Sequence, residues 1–459
     1  CRCRKISTRT HTKPTRDPHV TSATSLLDTA TAHLRPTLPR FRPGVPRRLP
    51  ATFASLGTRN YRLFASGQLV SNTGAWVQRI AQDWLVLSIT GSAAAVGLTT
   101  ALQFLPTLLF GLHGGLIADR CNKRKVLLCT QVGMAAMAAA LAVLALSHRV
   151  LPWHVFVIAF GLGLVTAVDN PTRQSFVNEM VGAEQLRNAI SLNASVFQLG
   201  ALIGPAISGY LITAVGPGWS FAINAVSYSA PMIALSQIRE SELTLAPGRA
   251  SAHRQLRDGL RYVARRPEIL WPTVLVGVFG LFTINLPVTL AAYAKNVFHS
   301  GPAGYGALNS AVALGSIAGA LISARRTAPT RLRTLAAFAV VLAAMQVLAA
   351  SVPGQGGYRV ALVAVGAATL LLLTSANSAV QLAASDAIRG RVMGVYLLVF
   401  IGSGALGGPL LGAVDQQFGP RTGMLLAGVV PAAATVLISA KLARDVRRHH
   451  SLLAARARM

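Results

Sequence analysis

From residue 60 onward the chain is a succession of apolar runs, each about long enough to cross a bilayer, joined by short polar connections. The hydrocarbon core of a membrane is about 30 Å thick, and a helix rising ~1.5 Å per residue needs about 20 residues to span it. Runs of that kind cover 64–89, 93–117, 126–147, 151–168, 189–214, 218–238, 269–293, 304–324, 333–352, 358–383, 392–414 and 422–443. Only two connections are long, 169–188 and 239–268. Inside lipid no water can pair a backbone N–H or C=O, so each run must close its own hydrogen bonds as a helix. Composition agrees, with 52% hydrophobic and 12% charged residues against about 25% charged in a soluble domain. The expected fold class is an all-α membrane protein with twelve transmembrane helices.

A net charge of +29 raises nucleic acid as a partner, and the distribution of that charge argues against it. Of 43 Lys and Arg residues, 13 precede residue 63 and 6 lie from Lys441 onward. Connections after even-numbered helices hold 19, and those after odd-numbered helices hold 4: Arg149, Lys295, Arg359 and Arg421. Cytoplasmic loops are the ones enriched in Lys and Arg. The bias implies an even number of helices, both termini in the cytoplasm, and a multi-pass protein of the inner (cytoplasmic) membrane. The lipid bilayer, not nucleic acid, is the expected large partner.

Residues 1–58, rich in Arg, Thr and Pro, lack an apolar run of signal-peptide length and read as a disordered basic tail. A second basic tail is expected over 444–459. The four cysteines form no framework, and no Cys or His pair has metal-ligand spacing, so neither a metal nor a cofactor is expected.

The membrane portion repeats itself. Asn170-Pro-Thr-Arg-Gln174 is echoed by Asn377-Ser-Ala-Val-Gln381, and Gly204-Pro205 with Gly209 by Gly408-Pro409 with Gly412. The offset is about 204–207 residues, half of the membrane portion. It divides the chain into two pseudo-symmetric six-helix bundles, 59–238 and 269–443, joined by a cytoplasmic linker over 239–268. Repeats on this scale are common in transporters, where the substrate site lies between the halves near the midplane. Gly200, Gly204, Pro205 and Gly209 put small residues on one face of the fifth helix, which suits either tight static packing or a seam between moving halves.

Charges inside a bilayer are costly and usually face the bundle interior or a water path. Of the 14 acids, only Asp83 falls well inside a predicted span; Asp415 falls at the end of the eleventh. Arg79 precedes Asp83 by four residues, so the two share a helix face and can pair. Asn72 and Trp76 continue that face. Asp83, with Arg79, is the candidate for proton coupling, because breaking such a pair changes how readily the carboxylate takes a proton. The alternative is a permanently ionised structural pair. Asn72, Trp76, Gln103, Asn285, Asn377 and Gln381 are candidate cavity-lining residues.

Gly115-Leu-Ile-Ala-Asp119-Arg120-Cys-Asn-Lys-Arg124-Lys125 resembles the signature loop between the second and third helices of the major facilitator superfamily. Asn122 stands where a second glycine is usual, and Asn tolerates left-handed turns. Asp169 through Gln174, Asn188 through Asn193, Gly204-Pro205 with Gly209, and Asn224 resemble the branch of enterobactin exporters and drug:proton antiporters. The resemblance covers about residues 60–440. It implies a cytoplasmic latch built from Gly115, Asp119, Arg120, Arg124 and Lys125, with Arg173 able to join it. It also implies an antiporter-type motif in the fifth helix at Gly200, Gly204, Pro205 and Gly209.

No phosphate loop of the GxxxxGK[ST] type is present, so energy must come from a gradient or a separate subunit. The expected protein is a secondary transporter, not an enzyme. It would export a small amphipathic molecule, such as a drug-like compound or a siderophore, in exchange for protons, and act as a monomer. A proton-coupled importer and a non-transporting sensor are the alternatives. In a background without the four native cysteines, single cysteines at 124 and 325 are expected to react with an impermeant thiol reagent from the same side of the membrane. Labelling from opposite sides would remove the even-helix topology.

Overall fold

The computed structural model describes residues 51–244, 252–326, 330–385 and 388–456. Most of the expected N-terminal tail and Asp386 lie outside them. The described chain is helical throughout apart from turns: α1 (Arg59–Thr90), α2 (Ala93–Arg120), α3 (Lys123–Leu146), α4 (Pro152–Gly182), α5 (Glu184–Val215), α6 (217–236), α7 (Pro267–Val297), α8 (Gly301–Ala324), α9 (Leu332–Ser351), α10 (Gln355–Ala383), α11 (Arg389–Phe418) and α12 (Pro420–Arg456). Among the described residues there is no strand.

Ten of these helices are long and apolar enough to cross a membrane. The other two are α1 and α6. The 32 residues of α1 give it the length, but Asn72, Arg79, Gln82 and Asp83 lower its hydropathy. In α6, Tyr228 separates pieces of 11 and 8 residues, and both pieces pack against α1 and α3. Length and composition therefore count ten spans, where the sequence predicts twelve.

Several boundaries differ from expectation. The connection 169–188 is not a loop: α4 runs on to Gly182, and α5 begins at Glu184. Its charged residues lower the hydropathy, yet Asp169 and Arg173 sit four apart and pair along one helix face. Gly182 makes the break with φ 69° and ψ 177°, a conformation essentially reserved for glycine. Part of the expected tail is ordered, since Ala51–Gly57 is a 3-10 turn and both the Ser55 amide and its hydroxyl donate to Asn188. The linker contains a helix, Ala252–Arg265, and the final tail continues α12 as far as Arg456. Asn122 is not left-handed. With φ −63° and ψ 112° it caps α3, its side chain accepting from the Lys125 amide at 3.1 Å.

The helices alternate in direction, giving the bundle two ends. One is reached by residues 120–123, 237–244, 252–267, 325–326 and 330–331 and carries most of the described loop cations; it is called the basic end below. The opposite end carries the turns near residues 91, 150, 216, 299 and 419. The first half (α1–α6) and the second (α7–α12) meet along α2 against α11 and α5 against α8. Hydrocarbon surrounds these contacts, so close packing rather than water exclusion must hold them.

Glycines make the approach possible. A Cβ on Gly97 would overlap the Gly408 carbonyl, and one on Gly306 would overlap the Pro205 carbonyl. A Cβ on Gly412 would lie 2.6 Å from the Ala93 oxygen, and one on Gly209 would lie 2.9 Å from the Pro302 oxygen. Gly200 and Gly204 instead press on Asn72 and Trp76 of α1, inside the first half. The glycine face of α5 therefore serves both readings: static packing at Gly200 and Gly204, and the seam between halves at Pro205 and Gly209.

Gly97→Val forces α2 away from α11 and is expected to cost about 1–3 kcal/mol, the usual range for overpacking. Gly115 has open space around its Cα. Gly115→Ala should therefore be neutral or slightly stabilising, as in an ordinary helix interior. Thermal unfolding of the two purified variants against the parent protein tests the contrast.

Candidate functional site

Between the halves lies a cavity of about 620 Å³, walled by α1 to α8 and α11. Its character comes from one face of α1. Asn72, Trp76, Arg79 and Gln82 recur at helical spacing and reach the wall, together with Gln78. Arg79 is the one charged residue among the lining residues. Its guanidinium lies 5.5 Å from the Trp76 ring centroid and 5.7 Å from that of Phe104, within cation–π range. Phe197 meets Trp76 edge-on at 5.6 Å and closes that corner.

Gln103 also lies on the wall, and Asn285, Asn377 and Gln381 do not. Asn285 is buried, donating to the Leu281 carbonyl at 3.0 Å where α7 is interrupted. Asn377 and Gln381 bond each other at 2.6 Å near the basic end of α10. The wall gains Gln78, Asn224 and Asn309, which were not among the predicted lining residues. Gln78 could have been found by extending the α1 stripe, and it accepts from Asn224 at 2.7 Å. Asn309 carries no signal in sequence beyond being polar in an apolar run.

Asp83 lies just beyond the cavity and is 2% exposed. The pairing expected from its spacing does not form: the ion pairs of the described residues do not include Arg79 with Asp83. Instead the Tyr305 hydroxyl of α8 donates to Asp83 Oδ2 at 2.9 Å, and Trp84 stacks on the Tyr305 ring. The guanidinium turns to the rings and the cavity, while the carboxylate turns to the other half.

That bond is one of four in which a side chain bridges the halves among the described residues. Gln416 accepts from the Ala93 amide at 2.8 Å, Lys295 donates to the Leu87 carbonyl at 2.8 Å, and Ser310 donates to the Leu202 carbonyl at 3.0 Å. All four lie toward the opposite end, as do the four glycine crossings. At the basic end no such bond joins the halves among the described residues, and Gly115, Gly390 and Gly394 have open space beside them. The bundle is closed at one end only.

The predicted latch residues are placed accordingly. Asp119 and Arg120 are exposed, and neither has a hydrogen-bond or ion-pair partner among the described residues. Arg124 stays on its own half and the start of the linker: it donates to the Leu235 and Ser236 carbonyls, both at 2.7 Å, closing the last turn of α6, and pairs with Glu240 at 2.9 Å. Its neighbour Lys123 pairs with Glu179 at 2.6 Å. Arg173 does not join the Asp119 cluster. It pairs with Asp169 and donates to Gln68, while Asp169 also accepts from Thr130 at 2.7 Å and Gln131 at 3.0 Å. Asp169 is fully buried and its carboxylate is well supplied with donors, so these five side chains form a polar network tying α1, α3 and α4 together, with Gln131 Oε1 and Arg173 Nε left without a partner.

A family model described as transmembrane secretion effector, within the major facilitator superfamily, matches residues 50–454. The chain belongs to that family. It is 27% identical over 387 residues to the multidrug efflux pump Tap of Mycolicibacterium fortuitum, covering 80% of this chain and 93% of that one. It is 26% identical over 232 residues to the staphyloferrin A transporter of Staphylococcus aureus, a match spanning 50% of this chain and 58% of that relative. Among solved structures it is similar to a bacterial homologue of the human lysosomal transporter Spinster, in an inward-facing and unoccupied conformation. The TM-score is 0.67 with 14% identity, over 84% of this chain and 98% of that one. The protein is a membrane transporter of the major facilitator superfamily, not an enzyme.

Arg173→Ala leaves the Asp169 carboxylate buried with its counter-charge gone. Removing one partner of a buried pair costs roughly 3–5 kcal/mol. Loss of the single hydrogen bond in Thr130→Val should cost about 1 kcal/mol. Thermal unfolding in detergent distinguishes the two.

Proposed function

We propose that this transporter exports a small amphipathic molecule in exchange for protons, with the halves rocking so that the cavity faces one compartment at a time. The observation that carries the reading is the asymmetry of the interface. Bridging bonds and backbone crossings gather at one end, the other end has neither among the described residues, and the cavity lies between them. A bias of Lys and Arg toward the basic end supports placing that end in the cytoplasm. This conformation would then receive cargo from inside. The relatives whose printed names specify efflux, Tap and macrolide efflux protein A, support export as the direction.

The cavity suits cargo that is partly apolar and partly hydrogen-bonding. Rings and aliphatic side chains form much of its wall, and amides of α1 and α2 interrupt them. Both polar atoms of the Gln82 side chain are buried without a partner, ready for a ligand or water.

Asp83 is the group we assign to proton exchange. An ionised Asp83 accepts from Tyr305 in a charge-assisted bond across the closed end. A proton on Asp83 removes the charge and weakens that bond, and opening the end breaks it. The charge of Asp83 and the closure of the bundle therefore depend on one another, which is what coupling requires.

The test uses inverted membrane vesicles and a panel containing ethidium and a carboxylate siderophore. An acid lumen is expected to speed uptake of a transported panel member, and Asp83→Asn is expected to abolish that response while leaving the protein inserted. A full response in Asp83→Asn would remove Asp83 from the coupling role. Release rather than uptake under the same gradient would reverse the direction.

A further inference from the structure

The second half contains a buried acid that none of the preceding chemistry uses. Asp415 lies three residues before the end of α11, is 2% exposed, and has no partner on either carboxyl oxygen. The space around it is built rather than accidental. Gly423 at the start of α12 has its backbone against the carboxyl, where a Cβ would overlap Oδ1. Thr289 of α7, itself buried, faces the carboxyl. The fully buried Tyr293 and Tyr358 stack on each other at 4.5 Å within electrostatic range of Asp415, and neither hydroxyl has a partner.

Neither cation nearby pairs with the carboxyl. Arg421 of α12 is exposed and lies in range of Tyr293. Lys295, two residues beyond Tyr293 on α7, donates to the Leu87 carbonyl of α1. Among the described residues no ion pair reaches Asp415. Gln355 Nε2, one turn before Tyr358 on α10, and Ser300 Oγ at the start of α8 are also buried without partners.

An ionised carboxylate sealed away from water with no cation, and with only the Thr289 and tyrosine hydroxyls as donors, is costly to bury. A neutral carboxylic acid is not. It has one O–H to place, and the phenol and threonine oxygens around it can accept that hydrogen. We infer that Asp415 is a second proton-binding site, occupied by a proton in this closed-end conformation, with Tyr293, Tyr358 and Thr289 as its surroundings. The O–H bond forms on one Asp415 oxygen with a proton from solvent, and no other covalent change is involved. Its position matters for a transporter. The next residue, Gln416, bridges to the Ala93 amide, and Gly412, one turn earlier, packs on Ala93 and Ala94. The acid thus sits on the stretch of α11 that seals the opposite end. The inference rests on this cluster and is independent of the direction of transport.

Infrared spectroscopy of the full chain in lipid nanodiscs tests it. At neutral pH the protein is expected to show the C=O stretch of a buried, protonated carboxyl. Asp415→Asn should remove that band, and Asp83→Asn should leave it in place. Labelling the parent protein with aspartate carrying 13C at the side-chain carboxyl carbon should shift the band, an assignment that needs no variant to fold. Asp415→Asn mimics a neutral acid in shape, so its unfolding temperature should stay close to that of the parent. The inference fails if the aspartate-shifted band is missing from the parent protein, which would mean a hydrated, ionised Asp415. It also fails if sodium chloride in place of choline chloride abolishes the band, which would make the cluster a cation site.

Discussion

Everything else in this molecule depends on two places where helices of different halves touch backbone to backbone. In water, apolar surface alone would drive two bundles together. In lipid that drive is absent, and contact must come from close packing. The chain meets this by presenting a carbonyl from each half to a glycine of the other: Gly408 to Gly97, and Pro205 to Gly306. Both carbonyls belong to a Gly-Pro pair, and those two pairs were the clearest internal repeat in the sequence. The proline lacks an N–H and weakens its own helix there. Each half therefore contributes one small, locally loosened segment to the interface. Because both crossings lie toward the same end, the halves close there and leave the cavity beyond.

The charged residues follow a related economy. Asp169 is completely buried, yet it accepts from Arg173, Thr130 and Gln131, so its charge does not stand alone inside the first half. Arg124 and Lys123 are also spent within that half or on the start of the linker. The one predicted latch acid, Asp119, is exposed and without a polar partner among the described residues. These facts belong together. Pairs that hold a single bundle can be permanent, while a residue meant to bridge moving halves must be free in one state. Under the proposed rocking of the halves, an exposed Asp119 at the open end would be the disengaged state of such a latch.

The sequence was most legible where one physical rule acts alone. Hydropathy located the helices because the bilayer fixes their length, and the Gly-Pro repeat located the crossings because close approach demands small residues. It was less legible where two rules compete. Charges at 169–188 looked like a loop, although Asp169 and Arg173 at helical spacing let α4 continue to Gly182. Arg79 and Asp83 had the right spacing to pair, but rings captured the guanidinium and Tyr305 captured the carboxylate. Spacing along one helix cannot reveal a partner more than 200 residues away. In sequence Asp415 is simply a residue at a helix end; its enclosure by α7, α10 and α12 is a property of packing.

The two membrane acids differ in a way that bears on how a closed end can be opened. Asp83 has a hydrogen-bond donor from the opposite half, so its charge strengthens the seal. Asp415 has no cation beside it and no bond from the opposite half among the described residues, so its charge would strain the bundle that contains it. On the proposed reading a single proton has opposite effects at the two positions: at Asp83 it would loosen the contact between halves, and at Asp415 it would relieve the second half. Both carboxyls lie near the sealed end, on α1 and α11, beside residues that bridge the halves. A bundle so arranged can reach its open state by taking a proton at Asp83 without also having to create an unpaired charge at Asp415.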